Sequence, residues 1–81
     1  MKKIMRFTAS WCKPCKALAQ NLELVKTEVP IEVVDIDVHT DVAMEYSIRS
    51  VPTLVMLYDG KETKRVTGMK TVAQLTEFIN D

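Results

Sequence analysis

The sequence predicts one mixed α/β domain, residues 1–81, with the element order β-α-β-α-β-β-α and a four-stranded sheet flanked by helices. Two strand-like segments enclose a helical pattern in the first half, and such a βαβ unit favours parallel strands with a right-handed crossover. An apolar segment, a two-residue turn signal and a polar segment follow in the second half, which is typical of an antiparallel hairpin. The length of 81 residues and the 47% hydrophobic content fit one small core.

The first half supplies the parallel pair. "KIMRFTA" (Lys3–Ala9) is predicted to be a short strand, and "IEVVDIDV" (Ile31–Val38) a second one, because it is rich in β-branched residues. Between them, apolar residues recur at helical spacing and predict an amphipathic helix. The residues of this apolar stripe are Leu18, Leu22, Val25 and Val29.

A short helix connects the two halves. "TDVAMEYS" (Thr40–Ser47) is predicted to be helical, with Thr40 or Asp41 as its N-cap. The "SVPT" stretch ends this helix, because the residue before a proline is biased towards extended backbone.

The second half supplies the hairpin and the last helix. "TLVMLY" (Thr53–Tyr58) is almost wholly apolar, which predicts a strand covered on both faces. Asp59-Gly60 is a strong turn signal, and the polar "KETKRVTG" after it suits an edge strand. Thr71 and Gln74 form a capping box that opens the final helix. The apolar stripe of that helix is Val72, Leu75, Phe78 and Ile79.

Composition and charge argue against several classes of partner. Eleven basic residues balance eleven acidic ones, which gives no electrostatic basis for binding nucleic acid or an anionic membrane. No apolar run approaches the roughly 18 residues of a membrane span. The stretch "MKKIMRFTASW" lacks the long apolar segment of a signal peptide. A single CxxC pair favours a cytoplasmic protein whose cysteines are mostly reduced.

Both cysteines lie in "SWCKPCK", where the first strand ends and the first helix begins, which is where open α/β sheets place their sites. Cys12 falls at the helix N-terminus, where free N–H groups and the helix dipole stabilise a thiolate. Cys15, three residues on, shares its face and can close a disulfide with it. The predicted chemistry is thiol–disulfide exchange, in which the more exposed Cys12 attacks and Cys15 resolves the mixed disulfide.

The residues between the cysteines suit the same chemistry. Pro14 lies in the first helical turn, where a missing N–H costs little, and it stiffens the ring. Lys13 places a positive charge beside the thiolate. Two alternatives remain at this point, a zinc site and a structural disulfide. A zinc site needs four ligands, and only His39, expected to be a solvated loop residue, could join the pair. A disulfide that closes so short a loop constrains the unfolded chain little.

"WCKPCK" resembles the active-site motif of the thioredoxin family, whose usual form is Trp-Cys-Gly-Pro-Cys-Lys. "DIDVHTDVAMEYSIRSVPTL", "YDGK" and "TGMKTVAQLTEFI" are similar to later stretches of the family in the same order, so the resemblance covers nearly the whole chain. The family usually has an additional strand and helix before the active-site strand. The resemblance therefore implies a minimal thioredoxin fold, near glutaredoxin in size.

The resemblance also implies roles for individual residues. Cys12 would be the attacking nucleophile, Cys15 the resolving cysteine, and Trp11 a shield for the pair that also contacts partners. Pro52 would have a cis peptide bond, and the backbone of Val51 would pair with an extended substrate chain. The apolar rim would be completed by Gly68 and Met69.

Two charged positions depart from the family pattern. Lys13 replaces the usual glycine, and Arg6 stands where thioredoxins commonly bury an aspartate, whose frequent lysine partner corresponds to Val33. Asp35 shares a strand face with Val33 and is a candidate to pair with Arg6 or to relay protons. The alternative is that both charges point to solvent. We expect Lys13, and Arg6 if it points inward, to make the reduction potential less negative than the about −270 mV of thioredoxin.

The implied function is reduction of disulfides in other proteins, with electrons from NADPH through a separate thioredoxin-reductase-like flavoprotein. No bound cofactor or metal is expected, and no GxGxxG fingerprint for a nicotinamide is present. Family members of this type are usually monomers.

Two alternative functions remain. A glutaredoxin-like protein, or a dedicated hydrogen donor to ribonucleotide reductase, fits the size. However, "WCKPC" lacks the tyrosine of the glutaredoxin motif CPYC. A non-catalytic binding module would use the apolar rim, or would share a metal between chains.

Overall fold

The computed structural model describes residues 1–81 and has the predicted element order. The strands are β1 (Lys2–Thr8), β2 (Ile31–Asp35), β3 (Thr53–Tyr58) and β4 (Lys61–Thr67). The helices are α1 (Lys13–Glu23), α2 (Thr40–Glu45) and α3 (Val72–Asn80). The sheet order is β2-β1-β3-β4, with β1 parallel to β2 and the other two pairs antiparallel. The predicted four-stranded mixed sheet with three helices is confirmed.

Helices cover both faces of the sheet. Side chains alternate along the central strands, so Ile4 and Leu54 point to one face while Phe7 and Val55 point to the other. The two-helix face carries α1 and α3 over a core of nine buried residues: Ile4, Leu18, Leu22, Val25, Leu54, Met56, Leu75, Phe78 and Ile79. The one-helix face carries α2 over five: Met5, Phe7, Val34, Val55 and Leu57.

Two elements end earlier than their sequence patterns predict. α1 stops at Glu23, so Val25 and Val29 lie in the loop that follows, although both still pack on the two-helix core. The spacing of these residues correctly indicated that they pack on one core. The loop keeps them on that core although its backbone is not helical. β2 stops at Asp35, whose carboxylate accepts a hydrogen bond from the Asp37 N–H at 2.8 Å and turns the chain.

The start of α2 also differs from the prediction. The N-cap is His39, whose side chain makes no capping hydrogen bond, so neither Thr40 nor Asp41 caps this helix. With six residues and no capping side chain, α2 depends on packing against the sheet rather than on its own hydrogen bonds. Ala43 is its buried residue, and Val42 and the C-cap residue Tyr46 pack on the one-helix core.

The hairpin and the last helix match the prediction. Asp59 and Gly60 have φ values of 51° and 84°, the left-handed backbone that a two-residue turn requires between paired Tyr58 and Lys61. β3 is buried along its length up to Tyr58, and β4 forms an edge of the sheet. The capping box is formed, with hydrogen bonds in both directions between Thr71 and Gln74. None of the three helices has the length and hydropathy to cross a membrane.

Candidate active site

Cys12 and Cys15 form a disulfide at the N-terminus of α1, with their Cα atoms 5.3 Å apart. β1 ends at Thr8, and the Cys12 N–H donates to the Ala9 carbonyl at 3.1 Å, a turn that brings Cys12 to the N-cap position. There the Cys12 Sγ accepts a hydrogen bond from the Cys15 N–H at 3.2 Å. The predicted placement at the carboxyl end of the first strand is confirmed.

The disulfide lies in a small apolar cluster. Cys12 and Cys15 are only 3% and 1% exposed, so the predicted difference in access has the expected direction but is small in this oxidised form. Ala9 completes the cluster, and Ile36 and Val51 pack against it. Sequence reasoning missed Ile36, although its place directly after β2, at the same edge of the sheet as the motif, was a usable signal.

The charges at this helix end favour an anionic sulfur. The first turn of α1 contains no acidic residue, so no carboxylate competes for the free N–H groups. Pro14 lies in this first turn, as predicted, and Lys13 is exposed beside the disulfide. This helix terminus therefore carries a cation, Lys13, and no carboxylate in its first turn.

The loop opposite the disulfide contains a cis peptide bond between Val51 and Pro52, as expected from the family resemblance. Hydrogen bonds hold the loop from two sides. The Thr53 hydroxyl donates to the Ser50 carbonyl at 2.8 Å, and the Gly68 N–H donates to the Pro52 carbonyl at 2.9 Å. The second bond joins the segment after β4 to the cis-proline loop, and Gly68 adopts a φ of +83° there.

Two exposed apolar side chains flank these structures, Trp11 directly before Cys12 and Met69 directly after Gly68. Trp11 is 65% exposed and Met69 is 47% exposed. The Trp11 indole N–H donates to a carboxylate oxygen of Asp37 at 2.9 Å, which fixes one edge of the ring. Sequence reasoning missed Asp37. The available signal was an acidic residue just after β2, at the sheet edge where the motif lies.

Arg6 lies on the two-helix face, and its side chain lines a shallow groove of about 230 Å³. The other residues that line the groove are Ala19, Leu22, Glu23, Ile31 and Val33. Neither cysteine is among them. Arg6 makes no ion pair with Asp35, whose carboxylate instead accepts the Asp37 N–H. Partial burial lowers the pKa of the Arg6 guanidinium.

The donors that a metal site would need are dispersed. No group of three or more histidine, cysteine, aspartate and glutamate side chains is placed to hold a metal ion. His39 is exposed at the start of α2. The Cys12–Cys15 pair therefore has no further ligand of these types beside it.

Comparisons with known proteins agree with this geometry. The family model described as Thioredoxin matches residues 1–81. The chain is 42% identical over 80 residues to the thioredoxin of Chlamydia caviae, covering 95% of this chain and 78% of that protein. It is 39% identical to the mitochondrial thioredoxin of Bos taurus, covering 94% of this chain and 48% of that protein.

Solved structures show the same fold. Thioredoxin from Fasciola hepatica aligns with a TM-score of 0.86 at 34% identity, covering 96% of this chain and 77% of that one. Oxidised mitochondrial thioredoxin 3 from Saccharomyces cerevisiae aligns with a TM-score of 0.88 at 30% identity, covering 99% and 77%. The chain therefore belongs to the thioredoxin family, and its Cys12–Cys15 pair makes it a thiol–disulfide oxidoreductase.

Proposed function

We propose that this protein reduces disulfide bonds in other proteins, with Cys12 as the nucleophile and Cys15 as the resolving cysteine. The observation that carries the proposal is the unequal position of the two sulfurs. The Cys12 Sγ is the N-cap acceptor at the end of α1, whereas Cys15 lies inside the first turn, and the two residues are 3% and 1% exposed. We expect a substrate disulfide to reach the N-cap sulfur first.

The exchange then runs in two balanced steps. The Cys12 thiolate attacks one sulfur of the substrate disulfide, forms a mixed disulfide and releases the other substrate sulfur as a thiolate, which takes up a proton. The Cys15 thiolate next attacks the Cys12 sulfur and releases the second substrate thiolate. The substrate gains two electrons and two protons, and the protein ends with the Cys12–Cys15 disulfide.

Protein substrates would bind as extended segments beside the cis bond. The N–H and C=O of Val51 take part in none of the backbone hydrogen bonds outside helices and strands, so they are free to pair with a substrate chain. Val51 also packs against the cysteine cluster, which brings such a chain to the disulfide. Trp11 and Met69, both exposed, and Gly68 would supply the apolar rim around it.

The source of electrons and the cellular setting are further parts of the proposal, suggested by the family resemblance. A separate thioredoxin-reductase-like flavoprotein would pass electrons from NADPH to the disulfide, and the protein would act as a monomer in the cytoplasm. Lys13 would stabilise the Cys12 thiolate and make the potential less negative than about −270 mV. Arg6, whose groove includes neither cysteine, is not assigned this role. Equilibration with glutathione buffers, with Lys13→Gly as the control, measures the effect.

Reduction of insulin disulfides tests the main proposal. Wild type, Cys12→Ser and Cys15→Ser are compared, first with dithiothreitol and then with NADPH and a thioredoxin reductase. Wild type should turn over, Cys12→Ser should stay at background, and Cys15→Ser should trap substrates as mixed disulfides. Wild-type turnover no faster than Cys12→Ser would defeat the proposal. Reduction of the oxidised protein by glutathione but not by the flavoprotein would favour the glutaredoxin-like alternative.

A further inference from the structure

Helix α1 contacts the substrate rim through a residue six positions beyond its resolving cysteine. The side-chain amide Nδ2 of Asn21 donates a hydrogen bond to the Lys70 carbonyl at 2.9 Å, across 49 residues of sequence. Asn21 is partly buried in the third turn of α1, and Lys70 lies in the loop between β4 and α3. One helix therefore carries the disulfide at its N-terminus and holds this loop near its other end.

Hydrogen bonds hold the loop that Asn21 contacts, Gly68–Lys70, and the Thr71 that follows it. The Gly68 N–H donates to the cis-proline carbonyl, the Lys70 ammonium donates to the Thr67 carbonyl at 3.0 Å, and Thr71 is held by the capping box of α3. Among these bonds, the one from Asn21 joins the loop to α1. Met69, 47% exposed, lies between these bonds, so their geometry sets where its side chain meets a partner.

We propose that Asn21 is a positioning residue for protein substrates, acting through the Lys70 carbonyl to hold Met69 in register with the disulfide. This inference rests on the proposed function, because it takes the Gly68–Lys70 loop as part of the substrate surface. A preorganised loop binds an extended chain without first being ordered, and this raises affinity for protein substrates. A small disulfide that reaches only the sulfurs gains nothing from it.

The chemistry of the bond explains why an amide stands at this position. A carbonyl oxygen only accepts, so residue 21 must donate, which asparagine can do and leucine or alanine cannot. Six residues of helix separate Asn21 from Cys15, about 9 Å along the axis, too far for contact with the reacting sulfurs. Loss of the bond should therefore change substrate docking and leave the redox couple alone.

The test compares Asn21→Leu with a matched control, Gln20→Leu. Gln20 is the exposed neighbouring amide on α1 and makes no side-chain hydrogen bond. For Asn21→Leu we expect kcat/KM with insulin to fall about threefold to tenfold, mainly through KM, as fits the loss of one hydrogen bond. The rate with a small aromatic disulfide should stay within about twofold of wild type, and the midpoint potential should stay at the wild-type value. Asn21→Gln, which keeps a donor, should recover part of the loss.

Each outcome decides for or against Asn21. An equal fall in kcat/KM with insulin and with the small disulfide would overturn the positioning role, and so would a shifted midpoint potential. Wild-type kinetics in a folded Asn21→Leu would also overturn it. If Asn21→Leu does not fold, Asn21→Ala replaces it, because alanine has the highest helix propensity. Combined with Met69→Ala, either variant should show a non-additive effect on kcat/KM. A wild type unable to reduce insulin would instead contradict the proposed function.

Discussion

One face of the sheet is covered by α1 and α3, which have 11 and 9 residues, whereas the other face is covered by α2, which has only six. At 1.5 Å per residue, α2 spans about 9 Å. The seven-residue β1 beneath it spans about 23 Å. The buried cores follow this difference, with nine residues under the longer helices and five under α2. The stability of the domain should therefore reside mainly on the two-helix face.

The one-helix face also carries charged pairs outside its buried core. An ion pair joins Lys3 on β1 to Glu32 on β2, and Glu62 pairs with Arg65 along β4. Lys3 and Glu62 are both register partners of the buried Leu57. The aliphatic stems of such side chains cover apolar atoms while their charges stay in water. This arrangement closes a thinly covered sheet face without another helix.

The active site draws on both faces. The cysteines belong to α1, which packs on the thick core, whereas Ile36 and Val51 pack against both the cysteine cluster and the one-helix core. The cysteine pair is thus carried by the helix with the more extensive packing. The backbone at Val51 depends on the thinner layer, so changes to the two faces should have separable effects on the disulfide and on the loop opposite it.

Truncation of matched leucines should give the largest difference between the faces. Leu75, fully buried in α3, should lose about 4 kcal/mol of unfolding free energy when changed to alanine, since it leaves a cavity among close-packed neighbours. Leu57→Ala, at the 6% exposed edge of the smaller core, should lose about 2 kcal/mol, because solvent and side chains can refill the space. Urea denaturation followed by far-ultraviolet circular dichroism measures both. An equal or larger loss at Leu57 would contradict the greater contribution of the two-helix face to stability.

Removal of Arg65 should have the next largest effect. Its guanidinium bonds both carboxylate oxygens of Glu62 and donates to the Tyr46 carbonyl, at the end of α2, at 2.9 Å. Arg65→Ala should cost about 1–2 kcal/mol, because α2 loses its hydrogen bond to β4. Glu62→Gln keeps that bond and should cost less. Thermal unfolding compares the two, and a greater loss for Glu62→Gln would show that the ion pair matters more than the contact with α2.

The sequence predicted the fold where local chemistry decides it. The Asp59-Gly60 turn and the Thr71 capping box are short-range signals, and both are formed. The spacing of Val25 predicted a core position correctly but a helix wrongly, because periodicity reports which side chains are buried and not which backbone bonds form. The end of β2 depended on an Asp35 side-chain bond that competes with strand backbone.

The candidate site was predictable in its centre and less so at its edges. The two cysteines are only three residues apart in the sequence, so their spacing predicted their place at the start of the helix. Asp37 and Asn21 make hydrogen bonds to partners 26 and 49 residues away. The place of Asp37 just after β2 was a signal for its contact, whereas nothing near Asn21 in the sequence indicates a bond to Lys70. Arg6 was identified as unusual from the family pattern, but its place in the groove depends on how α1 crosses β1 and β2.

Acid titration tests the contribution of the Glu62–Arg65 pair to stability on the one-helix face. The hydrogen bond from Arg65 lowers the pKa of Glu62 below its ordinary value of 4.5. The Glu62 carboxyl then has a lower pKa in the folded state than in the unfolded state. Between these two pKa values the unfolded state binds more protons, so the free energy of unfolding rises with pH there. The stability advantage of wild type over Glu62→Gln should be complete above pH 4.5 and should vanish as pH falls through the lowered pKa. A constant difference in melting temperature across this range would contradict the assignment.

The Lys3–Glu32 pair should give the smallest effect, since both side chains are about half exposed. Such pairs contribute about 0–1 kcal/mol and are screened by salt. Lys3→Met keeps the aliphatic stem over the sheet and should change the unfolding free energy by less than about 0.5 kcal/mol. Lys61→Met, an exposed β4 lysine without an ion pair, is the control. A loss above about 1 kcal/mol that persists in molar salt would mean that the charge pair, and not the stem, secures the open end of the one-helix face.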